Sequence, residues 1–181
     1  MSLQSHRDEL ASTACALAAR GKGLLAADES TGTIGKRFEA IGVANTEANR
    51  RAYRSLLATA PKLSDHISGV ILFEETLFQD SVDALGEPGA PLVELFSSRG
   101  IVPGIKVDQG LEPLAGGLPG ESWCTGLKGL QERAASAYAR GARFAKWRAV
   151  LKISPEGSPS DLSVRENAWG LARYARTVQE A

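Results

Sequence analysis

Two cations two residues apart inside an apolar run are the part of this sequence best placed to do chemistry. Phe144-Ala-Lys-Trp-Arg-Ala-Val-Leu-Lys152 reads as a buried strand that carries Lys146 and Arg148. Strand side chains alternate faces, so residues at i and i+2 project to the same side. A buried cation is costly without an anion, and the pair therefore calls for an internal carboxylate or a bound anionic substrate. A salt-bridged edge strand satisfies the same pattern when this stretch is taken alone. Two other stretches place charge similarly. Gly23-Leu-Leu-Ala-Ala-Asp28 ends in a carboxylate and runs into Glu29-Ser-Thr-Gly-Thr-Ile-Gly35, which reads as a polar, glycine-rich loop, and Ile101-Val-Pro-Gly-Ile-Lys-Val-Asp108 carries Lys106 and Asp108 at i and i+2. In parallel α/β proteins the C-terminal ends of the strands are where ligands bind, because the loops leaving them converge there.

The elements that must position these charges follow from periodicity. Ser5 with Asp8 matches a capping box, and Leu10, Ala14, Leu17 and Ala18 continue at helical spacing until Gly21. Asn45 and Thr46 offer N-caps to a helix with an apolar stripe of Ala52, Leu56, Leu57 and Ala60, stopped by Pro61. A strand follows over Ser68 to Phe73. Leu92 to Phe96 predicts a short helix closed by Gly100, and Leu127, Leu130, Ala134, Ala137 and Tyr138 predict a longer one closed by Gly141. Ser163 with Glu166 is a second capping box, beginning a helix with Val164, Ala168, Leu171, Ala175 and Val178 on one face. The Pro- and Gly-rich segments 86–91, 114–120 and 154–159 read as loops. The result is one helix and then four strand–helix units, which predicts parallel strands with right-handed crossovers. This pattern fits a small open doubly wound sheet and half of a (β/α)8 barrel equally well.

Composition narrows the function classes. With 181 residues, 43% of them hydrophobic, the chain falls in the single-domain range and can bury a core. Lys and Arg number 21, as do Asp and Glu, and no basic block suits a nucleic acid or an anionic membrane surface. A phosphorylated substrate would have to be held by local charges. No apolar run is long enough for a transmembrane helix. The first ten residues lack the apolar core of a signal peptide and carry early acids, so a cytoplasmic protein is expected. Cys15 and Cys124 are far apart and read as reduced thiols, while His6 and His66 are too few for a common zinc site. The segment after Asp28 is not a nucleotide P-loop, since Lys36 is followed by Arg37 and position 30 is Ser.

Four segments together carry a specific resemblance. Leu25-Ala-Ala-Asp-Glu-Ser-Thr-Gly32, Gly69-Val-Ile-Leu-Phe-Glu-Glu-Thr76, Gly104-Ile-Lys-Val-Asp108 and Phe144-Ala-Lys-Trp-Arg148 resemble class I fructose-bisphosphate aldolase, in the family's order. The resemblance implies a (β/α)8 barrel of the TIM type, of which 181 residues would supply only about the first four βα units, a partial barrel without a second domain. It implies reversible cleavage of fructose 1,6-bisphosphate in glycolysis and gluconeogenesis through a Schiff base, with no metal or other cofactor. The family's Schiff-base lysine lies on its sixth strand and its proton-transferring carboxylate on its fifth, so this chain alone is expected to be inactive. Phosphorylated ketoses and trioses are the implied ligands, without nucleic acid or membrane. The full-length family commonly forms homotetramers, whereas open edges predict self-association or aggregation for this chain.

The same resemblance assigns roles residue by residue. Asp28 corresponds to the acid/base partner of the carbinolamine and the substrate's C4 hydroxyl, although a strand-end carboxylate paired with Lys106 or Lys146 remains open. Lys146 corresponds to the lysine beside the Schiff base, whose charge favours a neutral, nucleophilic neighbouring amine. Lys106 and Arg148 look like ligands of substrate phosphate or hydroxyl groups. Ser30 and Thr33 look like hydroxyl donors to the distal phosphate, which Arg37 would also reach. Gln109 stands where the family commonly has lysine, on the opposite face from Lys106 and Asp108. The alternative to an aldolase fragment is a non-catalytic half-barrel that binds a full-length aldolase or another partner.

Overall fold

Alternating strands and helices need a backbone ladder to hold them, and here the ladder is parallel. A computed structural model of the chain describes residues 3–83 and 85–181, with side chains from His6 onward. In order, the elements are α1 (Leu3–Leu17), β1 (Gly23–Ala27), α2 (Thr31–Glu39), α3 (Glu47–Thr59), α4 (Leu63–His66), β2 (Ile67–Leu72), α5 (Glu74–Leu77), β3 (Asp80–Val82), β4 (Pro88–Pro91), α6 (Leu92–Ser97), β5 (Val102–Lys106), β6 (Leu111–Pro113), β7 (Ser122–Cys124), α7 (Leu130–Arg140), β8 (Phe144–Lys146) and α8 (Asp161–Glu180). Strand order in the main sheet is β1-β2-β5-β8. β1 pairs parallel with β2, and β2 with β5. Arg143 N donates to Pro103 O at 2.8 Å and Val107 N to Lys146 O at 3.1 Å, which sets β8 beside β5 in the same direction. The expected parallel sheet is therefore present. Two short antiparallel pairs, β3 with β4 and β6 with β7, were not expected. Among the described residues no helix is long and apolar enough to cross a membrane.

The chain divides into two compact units. The larger comprises Asp8–Lys106 and Ala137–Ala145, and the smaller comprises Val107–Ser136, Lys146–Ala181 and the N-terminal residues up to Arg7. In the larger unit Val70, Leu72, Leu92, Val93, Phe96 and Ile101 form the centre of the buried core. Gly104 is required there because the Phe144 ring covers it, and Gly69 makes room chiefly for Leu17 and Leu24. A Cβ on Gly104 would lie 2.4 Å from two of its ring atoms, and one on Gly69 would lie 2.5 Å from Leu17. In the smaller unit Leu130, Ala134, Val107 and Cys124 are buried. Trp147 stacks on Tyr174 at 5.1 Å there, and burial pushes the Tyr174 phenol up to about 12.

Several local expectations are corrected. The segment after Asp28 is helical from Thr31, because the Ser30 side chain accepts from Thr33 N and Ile34 and Phe38, four residues apart, share the buried face. Gly35 is compatible with this helix because Asn45 packs against it, where a Cβ would meet the Asn45 amide nitrogen at 2.5 Å. Thr46 caps α3 as expected, but its buried face is Arg54, Ser55 and Ala58, and Leu56 is exposed. The 86–91 loop instead contributes β4. β8 ends at Lys146 instead of continuing to Lys152, as the chain turns away after its last ladder bond to Val107. The cap of α8 is Ser160, whose side chain accepts from Ser163 N, leaving Ser163 inside the helix and fully buried. Val164 and Leu171, expected on a packed face of α8, are exposed together with Trp169. The Ser5 side chain of the first capping box lies outside the described residues, and α1 already begins at Leu3.

The entry to α8 depends on one carboxylate. Glu121 is buried and accepts from Ser160 N at 2.6 Å, Ser160 Oγ at 2.7 Å and Leu118 N at 2.8 Å. The Ser160 main-chain donor foremost, then its hydroxyl and Leu118, hold the Glu121 carboxyl below the usual range. A depressed folded-state value stabilises the fold fully above the ordinary glutamate value of about 4.3, and that contribution is lost as pH falls through the lower folded value. Unfolding by urea measured from neutral to acid pH should show this acid loss in the unaltered chain and a flatter profile in Glu121→Gln; parallel profiles would exclude Glu121 as a source of acid sensitivity.

Candidate functional site

In the larger unit the sheet register sets two of the expected site residues at one height. Ala27, Leu72 and Ile105 stand in a single buried row across β1, β2 and β5. Asp28 and Lys106 each come one residue later, so alternation turns them to the other face from that row. They are two strands apart, about 10 Å at the usual strand spacing, and both are partly buried. Ser30 and Thr33 open α2, with their hydroxyl oxygens 3.0 Å apart. The structure thus brings Ser30 and Thr33 together.

Arg37 goes elsewhere. Its guanidinium contacts Glu29 Oε1, while Arg54 Nη2 lies 2.9 Å from Glu29 Oε2 and donates to the Glu29 main-chain oxygen at 3.2 Å. The side chains of Glu29 and Arg54 are 6% and 4% exposed against 60% for Arg37, so the buried partner of Glu29 is Arg54. Burial holds the Arg54 guanidinium below its usual range, opposed by attraction to Glu29 and, more weakly, to Asp28. The carboxylate of Glu29 and the carbonyl beside it are therefore clamped between β1 and α2, in the segment carrying Asp28 and Ser30. Nearby, Arg50 binds Glu75 through two bonds of 2.8 and 2.6 Å, which ties α3 to α5. That hydrogen bonding holds the Glu75 carboxyl below, and the Arg50 guanidinium above, their usual values.

In the smaller unit the cation pair meets its carboxylate. Arg148 Nη2 donates to Asp108 Oδ1 at 3.3 Å, and Lys146 Nζ lies 3.9 Å from Asp108 Oδ2. Of the two anions the sequence allowed, an internal carboxylate is present: Asp108, whose side chain is 0% exposed, while Lys146 and Arg148 remain 32% and 40% exposed. Both cations converge on it although the strand has ended between them. Chemically, this sets two partly accessible cations beside a buried anion, an arrangement with donors of the kind that suit an anionic ligand.

Sequence reasoning assigned no site role to Glu29, Arg54 or Asp108. Asp108 was legible as the i+2 companion of Lys106. Arg54 was discernible only through Arg50, four residues before it on the same helical face, because an arginine on α3 reads as solvated.

With this geometry in place, comparison with known proteins is informative. Residues 9–181 match the family described as fructose-bisphosphate aldolase class-I. The chain is 57% identical over 176 residues to the chloroplastic fructose-bisphosphate aldolase of Oryza sativa subsp. japonica, covering 97% of this chain and 43% of that protein. Fructose-bisphosphate aldolase 2, chloroplastic, of Pisum sativum is 56% identical, with 97% and 48% covered. A co-crystal structure of Plasmodium falciparum fructose-bisphosphate aldolase with TRAP and a small-molecule inhibitor superposes with a TM-score of 0.87 at 50% identity, covering 97% of this chain and 49% of that one. The chain thus spans slightly less than half the length of these relatives.

The clamp on Glu29 makes an asymmetric prediction. Arg54→Met should cost about 3 kcal/mol, because it strands most of a buried negative charge, whereas Arg37→Met should cost at most about 1 kcal/mol, because Arg37 itself lies largely in solvent and Arg54 remains to pair with Glu29. Urea unfolding of the two variants checks this, and equal losses would mean that Glu29 draws on both cations alike.

Proposed function

Because the chain belongs to the class-I fructose-bisphosphate aldolase family and has its (β/α)8-type fold over half the length, we propose that it is the N-terminal half of an enzyme that reversibly cleaves fructose 1,6-bisphosphate. The products are glyceraldehyde 3-phosphate and dihydroxyacetone phosphate. What carries the reading is the family match over residues 9–181 together with the retention of Asp28, Lys106, Lys146 and Arg148 within it. In this reading Asp28 exchanges protons with the carbinolamine and C4 hydroxyls, and Lys146 supplies positive charge beside the imine. Lys106 and Arg148 bind the phosphorylated substrate, and Ser30 and Thr33 donate to the distal phosphate. Arg37 contributes to that phosphate only by exchanging Glu29 for it. The imine-forming lysine and the second carboxylate belong to strands beyond this chain, so the 181 residues, one half-barrel, do not turn over substrate alone. The names of the two plant relatives place those proteins in the chloroplast; the cytoplasmic location of this chain, and a tetrameric assembly of the whole enzyme, belong to the proposal.

A second reading is favoured by one observation. Leu24 on the outer strand β1 is 49% exposed, and Val164, Trp169 and Leu171 are exposed on α8. An outer strand with an exposed leucine and exposed apolar side chains on α8 suit a non-catalytic half-barrel that binds a full-length aldolase or another partner, or self-associates.

Two measurements test the proposal. Borohydride treatment of the 181-residue chain with dihydroxyacetone phosphate should leave no substrate-derived amine on any specific lysine; stoichiometric trapping at one site would show that the chain has its own imine lysine. When the chain is extended with the remaining length of a relative, cleavage should appear, and Lys146→Met should lower kcat far more than it raises KM, by about 100-fold or more for a lost charge-stabilising group. Turnover within a few-fold of the unaltered hybrid would remove Lys146 from the catalytic roles.

A further inference from the structure

We infer that Arg54 is a positioning residue for the turn between β1 and α2: its buried guanidinium holds Glu29 by side chain and main chain, and so fixes how Asp28 and Ser30, on either side of Glu29, are presented. The inference rests on the aldolase reading only for what Asp28 and Ser30 then do.

The platform behind Arg54 is fixed on several sides. Arg50 ties α3 to α5 through its paired bonds to Glu75. Ser55 Oγ accepts from Val82 N at 2.9 Å, which ties α3 to β3. At the end of the helix, Arg99 Nη1 donates to Ala58 O at 2.9 Å and Ala60 O at 3.0 Å. From this platform Arg54 Nη2 reaches Glu29 O at 3.2 Å and Glu29 Oε2 at 2.9 Å. The adjacent Tyr53 meets Phe38 edge to face, with ring centroids 5.9 Å apart, and Phe38 is buried on α2. α3 therefore grips α2 twice, just ahead of its Ser30 cap and again near its C-terminal end. The Ser30 carbonyl and hydroxyl accept from Ile34 N at 2.9 Å and Thr33 N at 3.4 Å. Because Glu29 directly precedes Ser30, a displacement of Glu29 carries the cap with it.

Stability alone does not account for an arginine at this position. Its side chain is 4% exposed, and among the described residues its Nε and Nη1 have no hydrogen-bond partner. Enclosed donors left unmet cost stability, and a buried ion pair is often no better than apolar residues of similar volume. The same guanidinium also acts electrostatically on Asp28 and Glu75 as well as Glu29. It thus faces the carboxylates that follow both β1 and β2, two strands paired side by side. The other arginine at Glu29, Arg37, is 60% exposed and departs without leaving that carboxylate unmatched. A buried polar arrangement that forgoes stability and fixes one turn at the end of a strand is what a preorganised site needs from its supporting residues.

The test uses the 181-residue chain and no substrate, so it is separate from the aldolase reading. Amide hydrogen exchange of Thr33 and Ile34 is measured by NMR relative to Val70 and Leu72 in β2, which report opening of the buried core. Arg54→Lys keeps the charge but replaces the planar fork by a single nitrogen. Arg54→Met combined with Glu29→Gln leaves no enclosed charge at this pair, so its urea midpoint should stay near that of the unaltered chain. In both variants Thr33 and Ile34 should nevertheless exchange about ten-fold faster relative to β2, the effect of one lost charge-assisted hydrogen bond. A role confined to stability would move both sets of amides together, and an unchanged ratio overturns the inference. Should one variant fail to fold, the other decides alone. In the chain extended with the remaining length of a relative, the double variant should also lower kcat/KM by about ten-fold to 100-fold through misplacement of the turn; kcat/KM equal to that of the unaltered hybrid would equally overturn it. An unaltered hybrid that does not cleave counts against the aldolase reading, and the exchange ratio then decides for Arg54.

Discussion

A carboxylate enclosed at the end of a strand has to be matched by a cation, and much of this protein's local structure follows from that requirement. Water can no longer solvate the charge, and leaving it unpaired would cost several kcal/mol. In the larger unit the requirement falls on Glu29, which is met by Arg54 from α3 and, from the solvent side, by Arg37. In the smaller unit it falls on Asp108, which is met by Arg148 and Lys146. The neutralised carboxylates then orient what surrounds them. Arg54 also holds the Glu29 carbonyl, so the passage from β1 into α2 is constrained through both side chain and main chain.

The second constraint is steric. Phe144 covers the main sheet only because Gly104 has no side chain to meet it, while Gly69 leaves room for Leu17 and Leu24, which turns two positions of weak strand propensity into a packing solution. Such close contact leaves little tolerance for added atoms. It also places β8 against β5 by side-chain contact as well as by hydrogen bonds. Elsewhere, polar groups take over tasks that apolar residues were expected to perform: Glu121 organises the N-terminus of α8, and Ser163 and Asn167 are its buried residues.

Legibility in the sequence followed the physics of each element. The strands β1, β2 and β5 were read correctly within a residue or two because buried parallel strands are short, apolar and flanked by turns. Helix α3 was located by its Thr46 cap, yet its buried face was misjudged: Arg54 is enclosed by its pairing with Glu29, and hydrophobicity alone turns the helix the other way. The glycines after Asp28 suggested a loop, whereas the Ser30 cap and the Ile34–Phe38 pair outweigh their helix cost. Ser163 looked like a cap because it precedes Glu166 by three residues, but Glu121, far away in sequence, selects Ser160. β4 and β7 were illegible for a related reason, since strands of three or four residues exist only by pairing.

By itself, the sequence determined the family resemblance, the parallel strand–helix order, the charges at the strand ends and the need for an anion near Lys146 and Arg148. These depend on residue types and spacings of two to four positions, which local backbone geometry makes readable. Only the tertiary structure decided that the anion is Asp108, that Arg54 rather than Arg37 is the buried partner of Glu29, and that β8 stops before Arg148. Each of these turns on residues 25 to 40 positions apart being brought within a few ångströms. A charge pattern specifies that a partner must exist, but its identity depends on which distant segment packing carries into reach.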